Sequence, residues 1–406
     1  MRALQIDRKV AKFGAARIVS AVSPGGAAKL GPLEHRTIDD PARPDGDGWH
    51  QVRTSLAGIC GSDLSLVDGH ASTYFENWVS FPFVPGHEVV GVVADGDRAG
   101  TRVVLEPVLG HAARGLTPPF PGACPADGDD HAHLATPSAN GIEPGIQTGF
   151  CCSTGGGWAP WFWAHESQLH PIDAPVDEFP DERAVLVEPF AGGIHAALLA
   201  RDAVAAADDP VVAVIGAGTM GLAAVAGLDR HVPAARVVVG ARYEHQRRLA
   251  AAFGAERVAA AGELDRAVRR EVGCHLIGDP DEPILSSGAH VTIDAVGSSA
   301  SIADAIRITR PGGRIVLLGM PADVTLDLTG LWHREIDLKG AYTYGTETLD
   351  DGTTTSTFDL AIETVTAVQA ERLVSATYSL DDHVDAIAHA AAAGRRGATK
   401  IAFDLR

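Results

Sequence analysis

The stretch VVAVIGAGTMG, residues 211–221, decides the fold of this 406-residue chain. Its first five residues, Val211–Ile215, are apolar and predict a buried strand. The spacing G-x-G-x-x-G then leads into an apolar helix, Thr219–Leu228. The three glycines of this spacing permit a tight turn, close approach of the backbone to a pyrophosphate, and close packing of helix on strand: Gly216, Gly218 and Gly221. A glycine-rich turn can occur in any α/β protein, but between this strand and this helix it indicates a dinucleotide-binding unit.

Strands and helices alternate around this motif from residue 191 to residue 344. The predicted strands are Val211–Ile215, Arg236–Gly240, Val291–Ala295, Arg314–Gly319 and Asp337–Tyr342, and the predicted helices are Thr219–Leu228, Glu244–Phe253 and Ser301–Ile308. This alternation predicts an α/β fold with a doubly wound parallel sheet, a Rossmann domain.

The residues before this part predict a β domain. Short apolar runs such as Val89–Ala94 and Arg102–Leu105 are separated by Gly, Pro and Asp, as in a compact barrel. After the α/β part, Phe358–Ala393 predicts two amphipathic helices and Thr399–Phe403 a last strand. The expected domains are residues 1–190, completed by residues 345–406, and residues 191–344.

Composition and charge exclude several classes of function. Lys and Arg number 33 and Asp and Glu 52, so the net charge is 33 − 52 = −19, which argues against coating nucleic acid or docking on an anionic membrane. The uncharged stretch Val211–Leu228 is long enough to span a bilayer, but its glycines favour a buried strand and helix. Five cysteines, an odd number in a large chain, and no apolar leader segment predict a cytoplasmic protein without disulfides.

The end of the second strand of the α/β part distinguishes NAD from NADP. Folds that bind NAD carry an acid there, about 20 residues past the glycines, for the ribose hydroxyls. This chain has Gly240, Ala241 and Arg242 instead. Because an arginine can pair with a 2′-phosphate, we expect NADP to be preferred over NAD, with Ala241 and Arg242 at the ribose. The alternative is a solvated surface arginine.

A cysteine, a histidine and a glutamate form a second constellation in the β part. Cys60 lies within the run Gly58–Asp63, and Gly86 precedes His87 and Glu88. Thiolate, imidazole and carboxylate are zinc ligands, and three protein ligands leave a coordination position for a substrate oxygen. A lone cysteine is more often a small core residue and a lone histidine a satisfied one. The spacing alone therefore leaves both interpretations open.

Taken together, these motifs make the chain resemble the zinc-dependent medium-chain alcohol dehydrogenase/reductase superfamily. The motifs that carry the resemblance are Gly58–Asp63, Gly86–Glu88, Val187–Pro189 and Gly216–Gly221. Their order and spacing fit over essentially the whole chain. The resemblance implies a GroES-like β-barrel catalytic domain, into which the last strand returns, and a Rossmann domain, with zinc and substrate in the cleft between them.

The resemblance also assigns roles to single residues. It makes Cys60 and His87 zinc ligands, and Glu88 a residue that binds the zinc or exchanges with water. Glu188 stands where alcohol dehydrogenases have a second cysteine and polyol and glucose dehydrogenases a glutamate; a helix N-terminal acid is the alternative. Ser62 matches the hydroxyl that passes the alcohol proton, and Asp63 the acid that orients the histidine. The residues implied to bind the cofactor are Gly216, Gly218, Thr219, Met220, Gly221, Ala241, Arg242, Val296, Leu318, Met320, Ala341 and Thr343.

The chain departs from the superfamily in the lobe that normally binds a structural zinc. Between residues 109 and 147 there is one cysteine instead of four, with three histidines near it: Cys124, His111, His131 and His133. We therefore expect one catalytic zinc and no structural zinc.

Two further departures concern the proton path and the substrate. Ser65 stands where several relatives carry a relay histidine, and His70 is the nearest histidine in sequence. The segment His70–Phe83 is rich in aromatic residues, which fits either the edge of a substrate site or barrel packing. Three tryptophans and a phenylalanine near residue 160, Trp158, Trp161, Phe162 and Trp163, are expected in the core.

The sequence thus predicts a zinc-dependent, NAD(P)-linked dehydrogenase that interconverts an alcohol and an aldehyde or ketone. Polyols suit the Glu188 ligand set and aryl alcohols suit the aromatic segment, so the substrate stays open. We expect a homo-oligomer, a dimer or a tetramer, with a small-molecule substrate and no nucleic acid or membrane partner. The alternatives are a zinc-free NADPH-dependent alkene or quinone reductase of the same superfamily, and a dinucleotide-binding protein without catalysis.

Overall fold

The computed structural model describes residues 1–117, 134, 138–278 and 284–406. Its strands are β1 (Arg2–Ile6), β2 (Leu33–Thr37), β3 (Trp49–Gly58), β4 (Val89–Val93), β5 (Arg102–Leu105), β6 (Trp161–His165), β7 (Leu169–Pro171), β8 (Val211–Ile215), β9 (Arg236–Ala241), β10 (Arg257–Ala260), β11 (Leu276–Ile277), β12 (Ile284–Leu285), β13 (Ala289–Asp294), β14 (Thr309–Leu317), β15 (Asp337–Gly340), β16 (Thr346–Thr348), β17 (Thr354–Ser356), β18 (Val374–Tyr378) and β19 (Lys400–Asp404). Its helices are α1 (Val10–Val22), α2 (Gly61–Val67), α3 (Asp181–Ala184), α4 (Val187–Val204), α5 (Thr219–His231), α6 (Glu244–Ala252), α7 (Leu264–Val272), α8 (Ser299–Ile308), α9 (Thr329–His333), α10 (Thr357–Ala367) and α11 (His383–Ala391).

The chain divides into two compact units, Met1–Glu188 with Val365–Arg406, and Pro189–Thr364. The first boundary lies close to the expected one at 190/191, whereas the second lies after the expected 344/345. Residues 345–364 belong to the second unit because their polar side chains bond to α4: Glu347 Oε1 lies 2.7 Å from His195 Nδ1, and Arg201 donates to the carbonyl of Thr348 at 2.9 Å.

The first unit is built on a seven-stranded sheet with β3 at its centre. The strand order is β18-β19-β3-β4-β5-β7, and β6 also pairs with β3. Apolar side chains of β3, β4 and β19 pack around Trp158, whose ring centroid is 5.1 Å from that of Phe403. Of the four aromatic residues expected in the core, Trp158 and Phe162 are fully buried, whereas Trp161 and Trp163 are only half-buried. Because β19 lies between β18 and β3, the C-terminal strand is an interior part of this sheet.

The second unit is a six-stranded sheet with the order β10-β9-β8-β13-β14-β15. Every pair of neighbouring strands is parallel. The order reverses between β8 and β13, so the carboxyl ends of these two strands form the crevice where such sheets bind ligands. The predicted doubly wound α/β sheet is confirmed.

Three elements differ from the sequence expectations. The helix α1 interrupts a region that predicts only strands. The strand β18 lies between the two C-terminal helices; its alternating burial suits a strand, but five residues are too few to stand out between helical patterns. The strand β14 begins at Thr309 and not at Arg314, because its pairing with β13 continues across a bulge in which Gly312 has φ +65°.

Within the described part of the chain, one helical stretch is long and apolar enough to span a membrane. It is Asp181–Val204, and 78% of its most apolar window is buried inside the structure. The other uncharged stretch, Val211–Leu228, is β8 and the greater part of α5, as expected.

Candidate functional site

Two loops of the first unit bring Cys60 and His87 together. Cys60 precedes α2, and its backbone N–H donates to Asp63 Oδ2 at 2.9 Å, so this carboxylate fixes the first turn of the helix. The loop that carries His87 is tied to β3, because the backbone N–H of Gly58 donates to the carbonyl of Glu88 at 2.8 Å. Trp158 also contacts the end of β3, because its Nε1–H donates to the carbonyl of Gly58 at 3.2 Å.

His87 is buried between a thiol and a carboxylate. Its Nδ1 atom lies 3.5 Å from Asp63 Oδ1, and neither atom has a hydrogen-bond partner. Burial by itself would lower the pKa of His87, but the charge of Asp63 and the contact with Cys60 outweigh it and hold that pKa well above its usual value. Sulfur and imidazole nitrogen are zinc ligands, and a zinc-bound histidine commonly directs its other ring nitrogen at a carboxylate. These residues therefore fit a zinc ion.

Glu88 is held by a lysine. Lys400 Nζ lies 2.6 Å and 2.5 Å from the two carboxylate oxygens of Glu88, and both side chains are almost fully buried. The same ammonium lies 3.4 Å from the carbonyl oxygen of Ile59. Burial would lower the pKa of Lys400, but the negative charges of Glu88, Cys60 and Glu188 raise it above its usual value. Sequence reasoning missed this lysine. The signal was its position within an apolar strand, because the whole chain has only five lysines.

Glu188 lies in the first turn of α4 and is close enough to Lys400 to influence its pKa. Within residues 1–117, 134, 138–278 and 284–406, no three His, Cys, Asp or Glu side chains converge as a ready metal cage. The structure thus brings Cys60 and His87 together, and it directs Glu88 toward Lys400.

The residues expected to move the proton lie on and after α2. Ser62 is half-buried on the first turn of α2, two residues from Cys60. Ser65 is half-buried on the same helix, and His70 is exposed beyond its end. The Nε2 atom of His70 lies 3.1 Å from Ser20 Oγ on α1, so this histidine is hydrogen-bonded at the surface.

The glycines of the second unit have the separate roles that their spacing predicts. Gly216 has φ +92°, where a side chain would be strained, and a Cβ there would lie 2.7 Å from Val296 Cγ2. A Cβ on Gly221 would lie 2.0 Å from the carbonyl oxygen of Gly216, so only glycine allows α5 to pack here. Gly218, by contrast, has nothing within 4 Å of a Cβ position. The turn therefore keeps backbone open for a pyrophosphate where Thr219 and Met220 begin α5.

The end of β9 presents Arg242 to solvent. Ala241 is buried at the end of the strand, and Arg242 is exposed. Arg247 on α6 is already engaged, because it donates to Glu244 at 2.6 Å and to the carbonyls of Ala241 and Arg242. Arg242 is thus the better placed of these cations to meet a ribose phosphate.

A buried carboxylate, Asp294, organises the rest of the crevice. Its Oδ1 accepts the backbone N–H groups of Val296 at 2.9 Å and Gly297 at 3.2 Å. Its backbone carbonyl accepts from Leu318 at 2.9 Å. Burial raises the pKa of Asp294. Sequence reasoning missed Asp294; its signal was an acid at the end of a predicted strand, followed by glycine.

The other residues expected at the nicotinamide lie on neighbouring loops. Val296 and Met320 are exposed, and Leu318 is buried behind them. The backbone N–H of Ala341 continues the sheet by donating to Leu317 at 2.9 Å. Thr343 has φ +55°, unusual for a β-branched residue, and its hydroxyl is buried without a hydrogen-bond partner.

The lobe between residues 109 and 147 is only partly described. Cys124, His131 and His133 lie outside the described residues, and His111 is buried. The described part packs through an apolar cluster of Trp49, Leu109, Ala113, Ile142 and Cys151. The buried guanidinium of Arg114 donates to the carbonyls of Leu109 and Gly145.

The aromatic segment before His87 divides into two parts. Phe83 is buried and stacks on Phe150 with ring centroids 5.5 Å apart, and Phe150 lies 5.8 Å from His87. Tyr74, Phe75 and Trp78 form a partly exposed cluster with edge-on contacts. Barrel packing thus applies to Phe83, whereas the edge of a substrate site stays a prediction for the exposed cluster.

Comparisons with known proteins identify the family of both units. Residues 219–376 match the zinc-binding dehydrogenase family, and residues 46–174 match the alcohol dehydrogenase GroES-like domain. The chain is 26% identical to sorbitol dehydrogenase of Bacillus subtilis over 84% of this chain and 85% of that protein. It is 30% identical to L-threonine 3-dehydrogenase of Anaeromyxobacter dehalogenans over 73% of this chain and 76% of that protein.

A solved structure agrees on the fold. The structure of 2R,3R-butanediol dehydrogenase from Bacillus subtilis superposes with a TM-score of 0.64 at 18% identity, covering 99% of each chain. The curated relatives cover most of the chain. The chain therefore belongs to the zinc-dependent medium-chain alcohol and polyol dehydrogenase superfamily, and it is an alcohol or polyol oxidoreductase.

Proposed function

We propose that this enzyme oxidises a small polyol or its amino-alcohol analogue to a carbonyl compound, with NADP as hydride acceptor. The observation that carries the proposal is the buried Cys60–His87–Asp63 arrangement in a chain that also has an open pyrophosphate turn at Gly218. Glu188 in place of a second cysteine supports a polyol, because the resemblance links that ligand to polyol and glucose dehydrogenases. The relatives named sorbitol and L-threonine 3-dehydrogenases agree with such a substrate class.

We assign the zinc to Cys60, His87 and Glu188; Glu88, the expected exchanging ligand, is instead held by Lys400 through both carboxylate oxygens. When bound, zinc supplies a Lewis acid that polarises the substrate oxygen and lowers the pKa of an alcohol. Asp63 holds the imidazole of His87 through its Nδ1 side. Lys400 holds Glu88 and balances the negative charge that Cys60 and Glu188 bring to this interior.

Ser62 is assigned to the substrate proton. Its hydroxyl follows Cys60 by two residues on the first turn of α2 and is partly exposed, so it can contact a hydroxyl that approaches the thiolate. Its own proton would then leave along the α2 surface, where Ser65 and His70 lie. A placed acid–base group of this kind contributes roughly 10²- to 10⁴-fold to turnover.

NADP is favoured over NAD because Arg242 is exposed at the end of β9, where NAD-binding folds carry an acid. A 2′-phosphate there gains a charge-assisted hydrogen bond, whereas the ribose hydroxyls of NAD lack a carboxylate partner. Asp294 holds the backbone of the loops that carry Val296, Leu318 and Met320, and we assign these residues to the nicotinamide. Ala341 and Thr343, on the next loop, complete this assignment.

The edge of the second sheet supports a homo-oligomer. β15 is the last strand of its sheet, and all four of its residues are exposed. Leu338 on β15 is an exposed apolar residue, and so is Trp332 on α9, the helix that precedes β15 in the chain. An unpaired edge with apolar side chains adds readily to another strand, here β15 of a second copy. Leu338→Pro, which blocks strand addition, should lower the mass measured by light scattering. A cytoplasmic location remains part of this proposal, supported by the odd number of cysteines in a chain of this size.

The decisive experiment measures zinc and turnover together. Purified protein should hold about one zinc per chain, the count for one catalytic site. Cys60→Ala should lose both zinc and dehydrogenase activity, while Cys274→Ala, a partly exposed cysteine of the second unit, should keep both. A panel of polyols, amino alcohols and aryl alcohols should rank the polyols first in kcat/KM. A zinc content near two per chain would contradict the prediction that residues 109–147 bind no structural zinc. Activity after complete removal of zinc would contradict a catalytic role for the metal.

A further inference from the structure

An insertion separates two strands that are neighbours in space. β1 and β2 pair antiparallel with Ile6 opposite Leu33. Antiparallel neighbours need only about two to five connecting residues. Here residues 7–32 intervene, and they form α1 and a short 3₁₀ turn, Gly26–Lys29. The connection is therefore longer than pairing requires, and its helix needs another explanation.

The inner side of α1 is fixed to the first unit. Ala16 and Ser20 are its buried residues. Ser20 donates from Oγ to the carbonyl of Asp68 at 3.3 Å, and Arg17 donates to the carbonyl of Gly69. These contacts hold the helix in one orientation, so its outer side is a defined surface.

The outer side of α1 is a continuous apolar line. Val10, Ile18 and Val22 are 81%, 75% and 85% exposed, and they share a four-residue spacing with Gly14. Residues four apart lie on one face of a helix. A Cβ on Gly14 would have nothing within 4 Å, and a glycine in an exposed helix costs about 1 kcal/mol relative to alanine. Neither the glycine nor the three aliphatic side chains is explained by contacts within one chain.

The charge around this face narrows the choice of partner. Residues 8–33 contain no Asp or Glu, in a chain with 52 acidic residues and a net charge of −19. The cations beside the face already have partners within the chain, since Lys9 and Lys12 bond to Glu34, Arg8 bonds to Glu76, and Arg17 donates to the carbonyl of Gly69. An anionic membrane would find few free cations here, and it would be repelled by the rest of the protein. Two copies of this chain repel each other over most of their acidic surfaces but not at this face, which has no acidic residue.

We propose that the outer face of α1 is a contact between two copies of this chain, in which the two α1 helices pack antiparallel across a two-fold axis. The axis passes between positions 14 and 18, so Gly14 of one copy faces Ile18 of the other and Val10 faces Val22. Gly14 then lets the facing helix approach closely, which accounts for its presence. A parallel pair would instead bring the two basic N-terminal ends together and align the two helix dipoles unfavourably.

One helix pair is a small interface. Stable interfaces bury about 1,200–2,000 Å² in total, more than two short helix faces supply. The α1 contact is therefore expected to add to the contact at the β15 edge. Two different two-fold contacts in one protein give a tetramer with dihedral symmetry.

The test measures mass by sedimentation equilibrium at several protein concentrations. Ile18→Glu should halve the mass relative to the wild type, with the thermal midpoint and kcat of the enzyme unchanged. Val176→Glu, a change at another exposed valine of the same unit, should leave the mass unchanged. An unaltered mass for Ile18→Glu, or an equal loss for Val176→Glu, overturns the proposal. Because the readout is mass, a failure here leaves the proposed dehydrogenase function untouched, and a failure of that function leaves this contact untouched.

A second measurement tests the orientation and the membrane alternative. When Val10→Cys and Val22→Cys proteins are mixed and oxidised, peptide mass spectrometry should find mainly the mixed 10–22 disulfide. Disulfides that join like positions, 10 to 10 and 22 to 22, would mean a parallel pair and refute the arrangement. Flotation with vesicles that contain anionic phospholipid should recover no protein; recovery that Ile18→Glu abolishes would replace a second copy by a membrane as the partner.

Discussion

Replacing Lys400 by methionine is expected to be among the most destabilising single changes in the first unit. The variant Lys400→Met keeps most of the side-chain volume and removes the ammonium that binds both oxygens of Glu88 at 2.6 Å and 2.5 Å. The lysine side chain is 4% and the glutamate side chain 1% exposed, so water cannot replace the lost partner. Breaking a buried ion pair on one side costs about 3–5 kcal/mol. For a unit of 188 + 42 = 230 residues, that corresponds to a fall in Tm of about 6–20 °C.

The pKa of Lys400 determines the pH at which the stability of wild type and variant should be compared. The pKa of Lys400 is raised in the folded protein, mainly because Glu88 outweighs the cost of burial. Stabilisation from a raised pKa is fully present below the unfolded value of about 10.4, and it is lost as pH rises through the folded value. At pH 7 the pair is therefore intact, and the full difference between wild type and variant should be measurable.

The assay is thermal unfolding at pH 7, followed by fluorescence of the buried tryptophans, for three variants. Lys400→Met should show the full loss, and Glu88→Gln with Lys400→Met should recover most of it, since the double variant leaves no buried charge of this pair. Arg8→Met, which removes an exposed ion pair with Glu76, should change the free energy of unfolding by less than about 1 kcal/mol. The reasoning would be refuted if Lys400→Met had the same Tm as the wild type, or if the double variant had a Tm no higher than that of Lys400→Met.

Three further predictions concern the proposed roles. Ser62→Ala should retain zinc and cofactor but lower kcat by roughly 10²- to 10⁴-fold; unchanged turnover would assign the proton elsewhere. Arg242→Ala should lower the ratio of kcat/KM for NADP over NAD by roughly 10- to 150-fold, from a bond of about 1.5–3 kcal/mol; a wild type that prefers NAD contradicts this. Gly221→Ala should destabilise the second unit by about 1–3 kcal/mol because its Cβ meets a carbonyl at 2.0 Å, whereas Gly218→Ala should keep the Tm and weaken cofactor binding measured by calorimetry.

The sequence predicts the second unit well because its signals are local. Val211–Ile215 is an unbroken apolar run, and glycines at fixed spacing follow it, so strand, turn and helix can be located without tertiary contacts. The observed β8 has the predicted bounds, and α5 begins at the predicted Thr219. The backbone at Gly216 and Gly221 has the tight turn and the close packing that the spacing predicts, whereas the role of Gly218 at a pyrophosphate stays a prediction.

The first unit is harder to predict because its decisive contacts join distant residues. Lys400 and Glu88 meet only after β19 has entered the sheet beside β3, and no periodicity in either segment indicates the other. Asp294 is similar, since its importance comes from two backbone N–H groups in the following loop and not from a side-chain pattern. α1 escaped prediction because its outer face is apolar, which blurs the amphipathic period that marks a surface helix.

The position of β19 has a consequence for how the protein is made. β3 pairs with β19 along Leu56–Gly58, the residues that lead into Cys60, and β19 is translated long after them. Until β19 has been made, one edge of β3 stays open beside the loop of Cys60, and Glu88 lacks Lys400. All residues of the second unit, Pro189–Thr364, are translated before β19. An incomplete chain that stalls before residue 400 would therefore expose an unpaired, apolar strand edge to chaperones and to aggregation.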